Sequence, residues 1–293
     1  MTGFIILDKP QGITSFIGGA IVRRVTGEKK TGHTGTLDPM ATGVLPVATG
    51  HATRFIEFLP NHDKGYRASF RLGMTTDTLD ITGTVLSECD NIPDEETVNK
   101  AISHFQGEIE QLPPMYSAIK KDGKRLYELA RQGIEVEREK RIVNIYSCEY
   151  ISHSDNEYVI DVKCSKGTYI RSLISDIGEM LGCGAVMTSL RRTFSNGFSI
   201  EEAHTEEELK SSENPLDFLI PVDNALEEYP FVRVSEAQAK RFRNGGELDA
   251  ARIHMNLTPS LYRVYSPEGA FLGLGEYRKD ENCLFVKRVF VND

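Results

Sequence analysis

Residues 32–39 read Gly32-His33-Thr34-Gly35-Thr36-Leu37-Asp38-Pro39, within the stretch TGHTGTLDPMATG at 31–43. Neither the helical nor the strand hydrophobic period runs through it, so the whole stretch reads as a loop. Gly32 and Gly35 let another backbone come close. Pro39 pushes Asp38 away from helical φ/ψ and towards extended geometry. One carboxylate is thereby held in a fixed direction on a loop, where catalytic groups are usually carried. An Asp before Pro is also what an ordinary turn contains, and local chemistry alone favours that plainer reading.

Around this loop the chain alternates between strands and helices. Phe4 to Leu7 form an apolar run stopped by Pro10 and Gly12, and Thr14 or Ser15 caps a helix through about Val25. Leu45 to Ala48 reads as a buried strand, and YRASFRL at 66–72 alternates as a strand does. A helix over 93–106 buries Val98, Ala101, Ile102 and Phe105. Strands are expected at about 142–150 and 157–164. A helix from Thr168 to Leu181 gathers Ile170, Leu173, Ile174, Ile177, Met180 and Leu181 on one side, and Gly182 and Gly184 end it. The last 65 residues read as a helix near 235–243 and three strands at 261–265, 270–277 and 283–291.

The 293 residues suggest two domains, or one large and one small, and 40% hydrophobic with 26% charged residues is ordinary for a globular chain. No apolar run reaches the roughly 18 residues of a membrane span. MTGFIILDKP has no basic segment before its apolar stretch, which speaks against a signal peptide. Five cysteines without a C-x-x-C pair disfavour a disulfide framework or structural zinc and make a reducing cytoplasm the default.

The net charge of −9 misleads until it is divided. Residues 201–228 hold ten acids and one base; the remainder carries 33 bases and 33 acids. The acidic balance therefore does not argue against a polyanionic partner. This acidic segment, with Pro215 and Pro221, reads as a linker and the best domain boundary. Residues 112–141 stand apart, with eight bases and five acids interleaved with Tyr116 and Tyr127. GEKKTG lacks the ending of a P-loop, Gly182-Cys183-Gly184 lacks the third glycine of a dinucleotide fingerprint, and no P-C-x-x-C follows His204-Thr205-Glu206. Neither a metal nor an organic cofactor is indicated.

With Leu7-Asp8-Lys9-Pro10-x-Gly12-x-Thr14-Ser15 before it, the 32–39 stretch resembles the tRNA pseudouridine-55 synthases of the TruB family. The likeness continues through Lys64-Gly65-Tyr66, Leu72-Gly73-x-x-Thr76-Asp77-Thr78-x-Asp80 and Pro114-Met115-Tyr116-Ser117-Ala118. Cys164-Ser165-Lys166-Gly167-Thr168-Tyr169-Ile170-Arg171 and Leu190-Arg191-Arg192 extend it, in the family's order along nearly the whole chain.

The resemblance implies an α+β pseudouridine synthase fold over 1–228, a mixed, mostly antiparallel sheet with helices. It carries a thumb-like insertion at about 114–141. A small β-rich PUA-like RNA-binding module follows at 229–293, through Phe271-Leu272-Gly273-Leu274-Gly275-Glu276 and Val286-Lys287-Arg288-Val289-Phe290.

The implied reaction is cofactor-independent conversion of the tRNA T-loop uridine to pseudouridine. Asp38 becomes the catalytic aspartate, Arg171 its expected cationic partner, and Tyr66 the ring that packs on the target base. Leu190 would floor the uracil pocket, Tyr169 support it, and His33 enter the T-loop as nucleotides leave. Asp80 and Lys9 match family residues near the site. Lys120, Lys121, Lys124, Arg125 and Arg131, with Arg138, Lys140 and Arg141, would hold RNA phosphates; Arg23, Arg24, Lys29 and Lys30 would extend the patch. The implied partner is the tRNA T-arm, met by a cytoplasmic monomer with no membrane association and no obligate protein partner. Two rivals stay open here: a dyskerin-type, guide-dependent synthase, against which the 114–141 arm speaks, and a non-catalytic tRNA-binding or RNA-folding protein, against which the Asp38, Tyr66 and Arg171 set speaks.

Overall fold

A computed structural model of the chain describes every residue except 122, 254, 292 and 293. The chain forms two compact units: residues 1–39, 44–61 and 196–293, and residues 40–43 and 62–195.

The first unit begins with β1 (Gly3–Lys9), α1 (Ser15–Thr26), β2 (Thr31–His33) and β3 (Thr42–Thr49), the last of which starts in the second unit. Phe4, Ile5, Ile6 and Leu7 are all fully buried, so β1 is covered on both faces and reads as a continuous apolar run. Thr14 caps α1 by accepting the Ile17 N–H at 3.2 Å; Ser15 instead points inward with Gly18, Ile21 and Val22. The 31–43 stretch is not all loop. Thr31 to His33 pair antiparallel with Thr49 to Val47, and Thr42 and Gly43 open β3. A three-residue strand with every residue half-buried shows no alternation, which is why the sequence hid it.

The second unit is a sheet built on β4 (Lys64–Leu72), beside a hairpin of β5 (Met74–Thr76) and β6 (Val85–Glu88). Then come α2 (Glu95–His104), β7 (Gly107–Gln111), the short hairpin β8 (Lys120–Lys121) and β9 (Lys124–Arg125), and α3 (Leu126–Ala130). β10 (Arg141–Ser154), β11 (Glu157–Cys164), α4 (Ile170–Met180) and β12 (Ala185–Ser195) complete it. β4 lies antiparallel between β12 and β11, and β10 and β7 follow outward from β11. Thr42 and Gly43 pair parallel with Arg191 and Arg192, which makes the sheet mixed. Gly43 has φ +99°, and a Cβ there would strike the Arg192 carbonyl, so this crossing requires glycine.

α2 is capped by Asp94, whose Oδ1 accepts the Thr97 N–H at 2.9 Å, and it buries Val98, Ala101 and Ile102. α4 packs on β12 through Ile170, Leu173, Ile174 and Ile177. Met180, expected on that apolar side, is exposed at the last position of the helix.

After residue 195 the chain returns to the first unit. β13 (Phe198–Ser199) and α5 (Glu206–Ser211) precede β14 (Phe231–Arg233), α6 (Glu236–Arg243), β15 (Leu248–Asp249), β16 (Leu261–Tyr265), β17 (Phe271–Arg278) and β18 (Cys283–Val289). The acidic segment packs rather than dangles. Phe4 and Ile220 exchange backbone bonds at 2.8 Å, and His204 bonds Ile6 and Asp8 at 2.8 Å. Leu209, Val222 and Leu226 are buried while the acids face outward. The C-terminal sheet has order β14-β16-β17-β18-β15. The sequence reading named three of these strands. β14 and β15 escaped it because runs of three and two residues carry no period. Val232, Ala239, Phe242, Tyr262, Val264 and Leu284 share a core of their own beneath the sheet.

Candidate active site

Asp38 lies half-buried on the connection between β2 and β3, and both its neighbours are pinned. On one side, the buried Leu37 donates its N–H to Ser15 Oγ at 2.8 Å, and that hydroxyl donates back to the Leu37 carbonyl at 3.2 Å. On the other side, the Pro39 carbonyl accepts the Gly12 N–H at 2.8 Å and Lys9 Nζ at 3.4 Å. Lys9 is fully buried, and its ammonium also donates to the carbonyls of Pro10 and Ile13 at 2.8 Å. A buried cation needs such acceptors, and here their directions tie the first motif to the second. Gly35 at φ +69° turns the chain just before Leu37. Thr34 anchors the turn through its N–H to the Pro46 carbonyl at 3.1 Å and its hydroxyl to Asn196 Oδ1 at 3.1 Å. His33 ends β2, half-buried, opposite Val47. Lys9, His33 and Asp38 thus share the first unit.

The second unit holds Arg171, Asp80, Tyr169, Tyr66 and Leu190. Arg171 sits in the first turn of α4 and Asp80 in the loop after β5; each is 5% exposed. Arg171 Nη1 lies 3.7 Å from Asp80 Oδ2 and donates to the Thr78 carbonyl at 3.1 Å; Nη2 donates to the Tyr116 carbonyl at 2.8 Å. Asp80 Oδ1 accepts the Thr78 hydroxyl at 2.9 Å, the Thr82 N–H at 3.0 Å and the Thr82 hydroxyl at 2.5 Å. The pair is buried, and these carbonyls and threonine groups supply further hydrogen bonds to both partners.

Tyr169 caps this helix with its backbone in a two-point clasp. Its N–H donates to Gln111 Oε1 at 2.7 Å, and Gln111 Nε2 donates to its carbonyl at 3.0 Å. Ser172 Oγ ties the same turn to the Leu112 carbonyl at 2.8 Å. The start of the 112–141 segment and the arginine are therefore fixed to one helix end.

Tyr66, on β4, stands opposite Arg192 on β12, and the two side chains are hydrogen-bonded. Arg192 is 1% exposed. Burial pulls its pKa down, while the Tyr66 hydroxyl favours its charge. Leu190 is buried two residues earlier on β12, opposite Ala68. Lys64 Nζ donates to Ser195 Oγ at 2.9 Å. Burial first, then the Arg192 charge, lowers the Lys64 pKa to about 7, against smaller opposing effects from Cys164 and Asp63.

Across the window from about 7 to the ordinary 10.5, the unfolded chain holds a proton at Lys64 that the folded chain has lost. Stability from this residue is thus highest at alkaline pH and falls as pH drops through that window. Lys64→Met removes this slope. Urea unfolding at pH 7 and pH 10 is expected to show wild type gaining on the variant as pH rises; parallel curves would refute the assignment.

Residues 112–141 are the hairpin β8–β9 followed by α3, not an undivided arm. Lys120, Lys121, Lys124, Arg125 and Arg131 are all exposed. Arg125 and Arg131 flank the Tyr127 ring at 5.8 and 5.6 Å from its centroid, and Arg125 Nη1 donates to the Tyr127 hydroxyl at 2.9 Å. Lys121 Nζ is held on the Glu137 carbonyl at 2.6 Å, Arg138 on the Pro113 carbonyl at 2.9 Å, and Lys140 is 3.6 Å from Glu110.

Ser15, Gln111, Ser172 and Arg192 take part in positioning; the sequence reading named Ser15 only as an alternative helix cap and a motif residue, and Arg192 only within the Leu190-Arg191-Arg192 motif. The structure gives the cap to Thr14, which leaves the Ser15 hydroxyl for Leu37. No local pattern marks Gln111 or Ser172.

Family comparison agrees with the motifs. Residues 23–170 match the TruB family pseudouridylate synthase N-terminal domain, 171–227 the tRNA pseudouridylate synthase B C-terminal domain, and 230–290 the pseudouridine synthase II TruB C-terminal domain. The chain is 47% identical to tRNA pseudouridine synthase B of Clostridium perfringens over the full length of both. It is 47% identical to that of Clostridium tetani, covering 96% of this chain and 97% of the relative. Among solved structures it resembles a chain of an H/ACA RNP bound to a substrate RNA containing 2'-deoxyuridine, with TM-score 0.75, 26% identity and coverage of 99% and 85%. A Cbf5-Nop10-Gar1 complex gives TM-score 0.73, 29% identity and coverage of 99% and 85%. With motifs, domain models and full-length relatives in agreement, the chain belongs to the TruB family of pseudouridylate synthases.

Proposed function

We propose that this chain isomerises the T-loop uridine at tRNA position 55 without a cofactor, with Asp38 as the catalytic carboxylate. The supporting observation is the double clamp on its neighbours, Leu37 through Ser15 and Pro39 through Gly12 and Lys9, which holds one half-buried carboxylate in place. Breaking the N1–C1′ bond builds positive character at C1′, which an ionised carboxylate stabilises or traps. The uracil then turns, C5 bonds to C1′, the C5 proton leaves and N1 gains one, so product and substrate have equal mass.

In this reading Tyr66 packs on the flipped base and Leu190 lies beneath it. Arg171, oriented by Asp80 and the Tyr169 end of α4, supplies positive charge to the same uridine. Extruding the base costs a few kcal/mol, and an imidazole at His33 takes the vacated stack. Residues 1–228 carry the chemistry. The basic faces of β8–β9 and α3 hold phosphates through Lys120, Lys121, Lys124, Arg125 and Arg131, and residues 229–293 hold a further part of the tRNA. The enzyme works as a monomer in the cytoplasm without a protein partner. Among the described residues no helix is long and apolar enough to cross a membrane.

The test supplies a bare T-arm transcript, no other protein and no guide RNA, and maps pseudouridine by chemical labelling. One modified nucleotide per RNA at the T-loop uridine is expected. An unmodified transcript that becomes a substrate only with guide RNA and partner proteins would replace this reading with the guide-dependent one.

A further inference from the structure

Phe16, at the start of α1, is 77% exposed, more than any other large apolar side chain among the described residues. Its neighbour Ile17 is 45% exposed. Residues 16, 20, 23 and 24 recur at helical spacing and share one face of α1; the opposite face is the buried one of Gly18, Ile21 and Val22. That outer face runs from two apolar side chains to the cations Arg23 and Arg24, and Lys29 and Lys30 follow the helix. All four cations are exposed, and among the described residues none has a carboxylate partner. An open groove of about 530 Å³ is lined by Ala20, Arg23, Arg24, Gly27, Glu28 and Lys29. Its single acid, Glu28, is neutralised by the Met1 ammonium. The apolar end of the stripe is also the end nearest the catalytic loop, because Ser15, next to Phe16, holds Leu37.

We propose that this face of α1 is an RNA-binding stripe: Phe16 stacks on an unpaired base flanking the target nucleotide, and Arg23, Arg24, Lys29 and Lys30 take the phosphates leading away from it. The inference rests on the proposed function and adds a contact surface to it. A large exposed ring has a use where bases are splayed out of their stack, since any base offers it a π-face. A second copy of this chain is disfavoured as occupant, because it would bring four more cations against these four. Two apolar side chains are too few to hold a lipid surface, whereas an unpaired strand satisfies ring and cations together.

The test compares wild type, Phe16→Ala and the double variant Arg23→Gln/Arg24→Gln by binding and turnover of T-arm RNA at several salt concentrations. The exposure of all three side chains leaves the fold intact on substitution. Phe16→Ala is expected to raise Kd and KM about tenfold with kcat within about twofold, and to leave the salt slope alone. It should not alter binding of a plain RNA duplex, which has no unpaired base. The double variant is expected to flatten the slope of log K against log salt by roughly 1.5 to 2. Wild-type affinity in Phe16→Ala, an equal loss on the duplex, or an unchanged slope in the double variant overturns the stripe. A wild type that leaves T-arm RNA unmodified instead overturns the proposed function.

Discussion

Asp38→Asn is expected to lower pseudouridine formation by at least about 10³-fold while tRNA affinity stays within about threefold, because in the proposed reaction it removes the charge that faces C1′. The carboxamide has nearly the shape of the carboxylate. The clamps around it run through the hydroxyl of Ser15, the ammonium of Lys9 and the backbones of Leu37, Pro39 and Gly12. None of these bonds uses the Asp38 side chain, so all of them persist in the variant. Single-turnover release of tritium from C5-labelled uridine measures the chemistry, and filter binding measures the affinity. A variant that keeps wild-type turnover would remove Asp38 from the mechanism. One that loses folding and binding together would make the residue structural.

The second large effect is expected at Arg171 and Asp80. Either Arg171→Met or Asp80→Leu breaks a buried ion pair, and each should cost about 3–5 kcal/mol of stability. The double variant should cost about as much as one single variant, not their sum. Its residual cost has a source in the structure: the carbonyls of Thr78 and Tyr116 lose their donors, and the Thr82 N–H and hydroxyl lose their acceptor, whereas the Thr78 hydroxyl keeps the Asp80 carbonyl at 3.2 Å. Urea unfolding of the four proteins gives the coupling energy directly. Additive costs would mean that the 3.7 Å pair is not energetically joined. In the proposed reading turnover falls in all three variants, because Asp80 would serve the substrate by orienting the guanidinium.

Several features were legible from local physics. The helix of α1 begins after a capping threonine and ends at a glycine with φ +68°, as its residues prescribe. The period of α4 placed Leu173, Ile174 and Ile177 inside, and failed at the helix end, where Met180 is exposed and Leu181 is only half-buried. The short strands β2, β14 and β15 were missed because two or three residues cannot display a period. The charge of 201–228 was read correctly, yet charge alone does not reveal that Leu209, Val222 and Leu226 bury the other side of that segment.

By itself the sequence determined which residue types stand in which motif, and with them the family and the identity of the candidate catalytic carboxylate. Only the tertiary structure decided who holds what: Ser15 on Leu37, Gln111 on the backbone of Tyr169, Arg192 on Tyr66, and Asp80 against Arg171. Helix starts and turns follow from dihedral and capping preferences that act within a few residues. The pairings above join groups far apart along the chain, and their partners exist only once the sheet register has brought distant strands side by side.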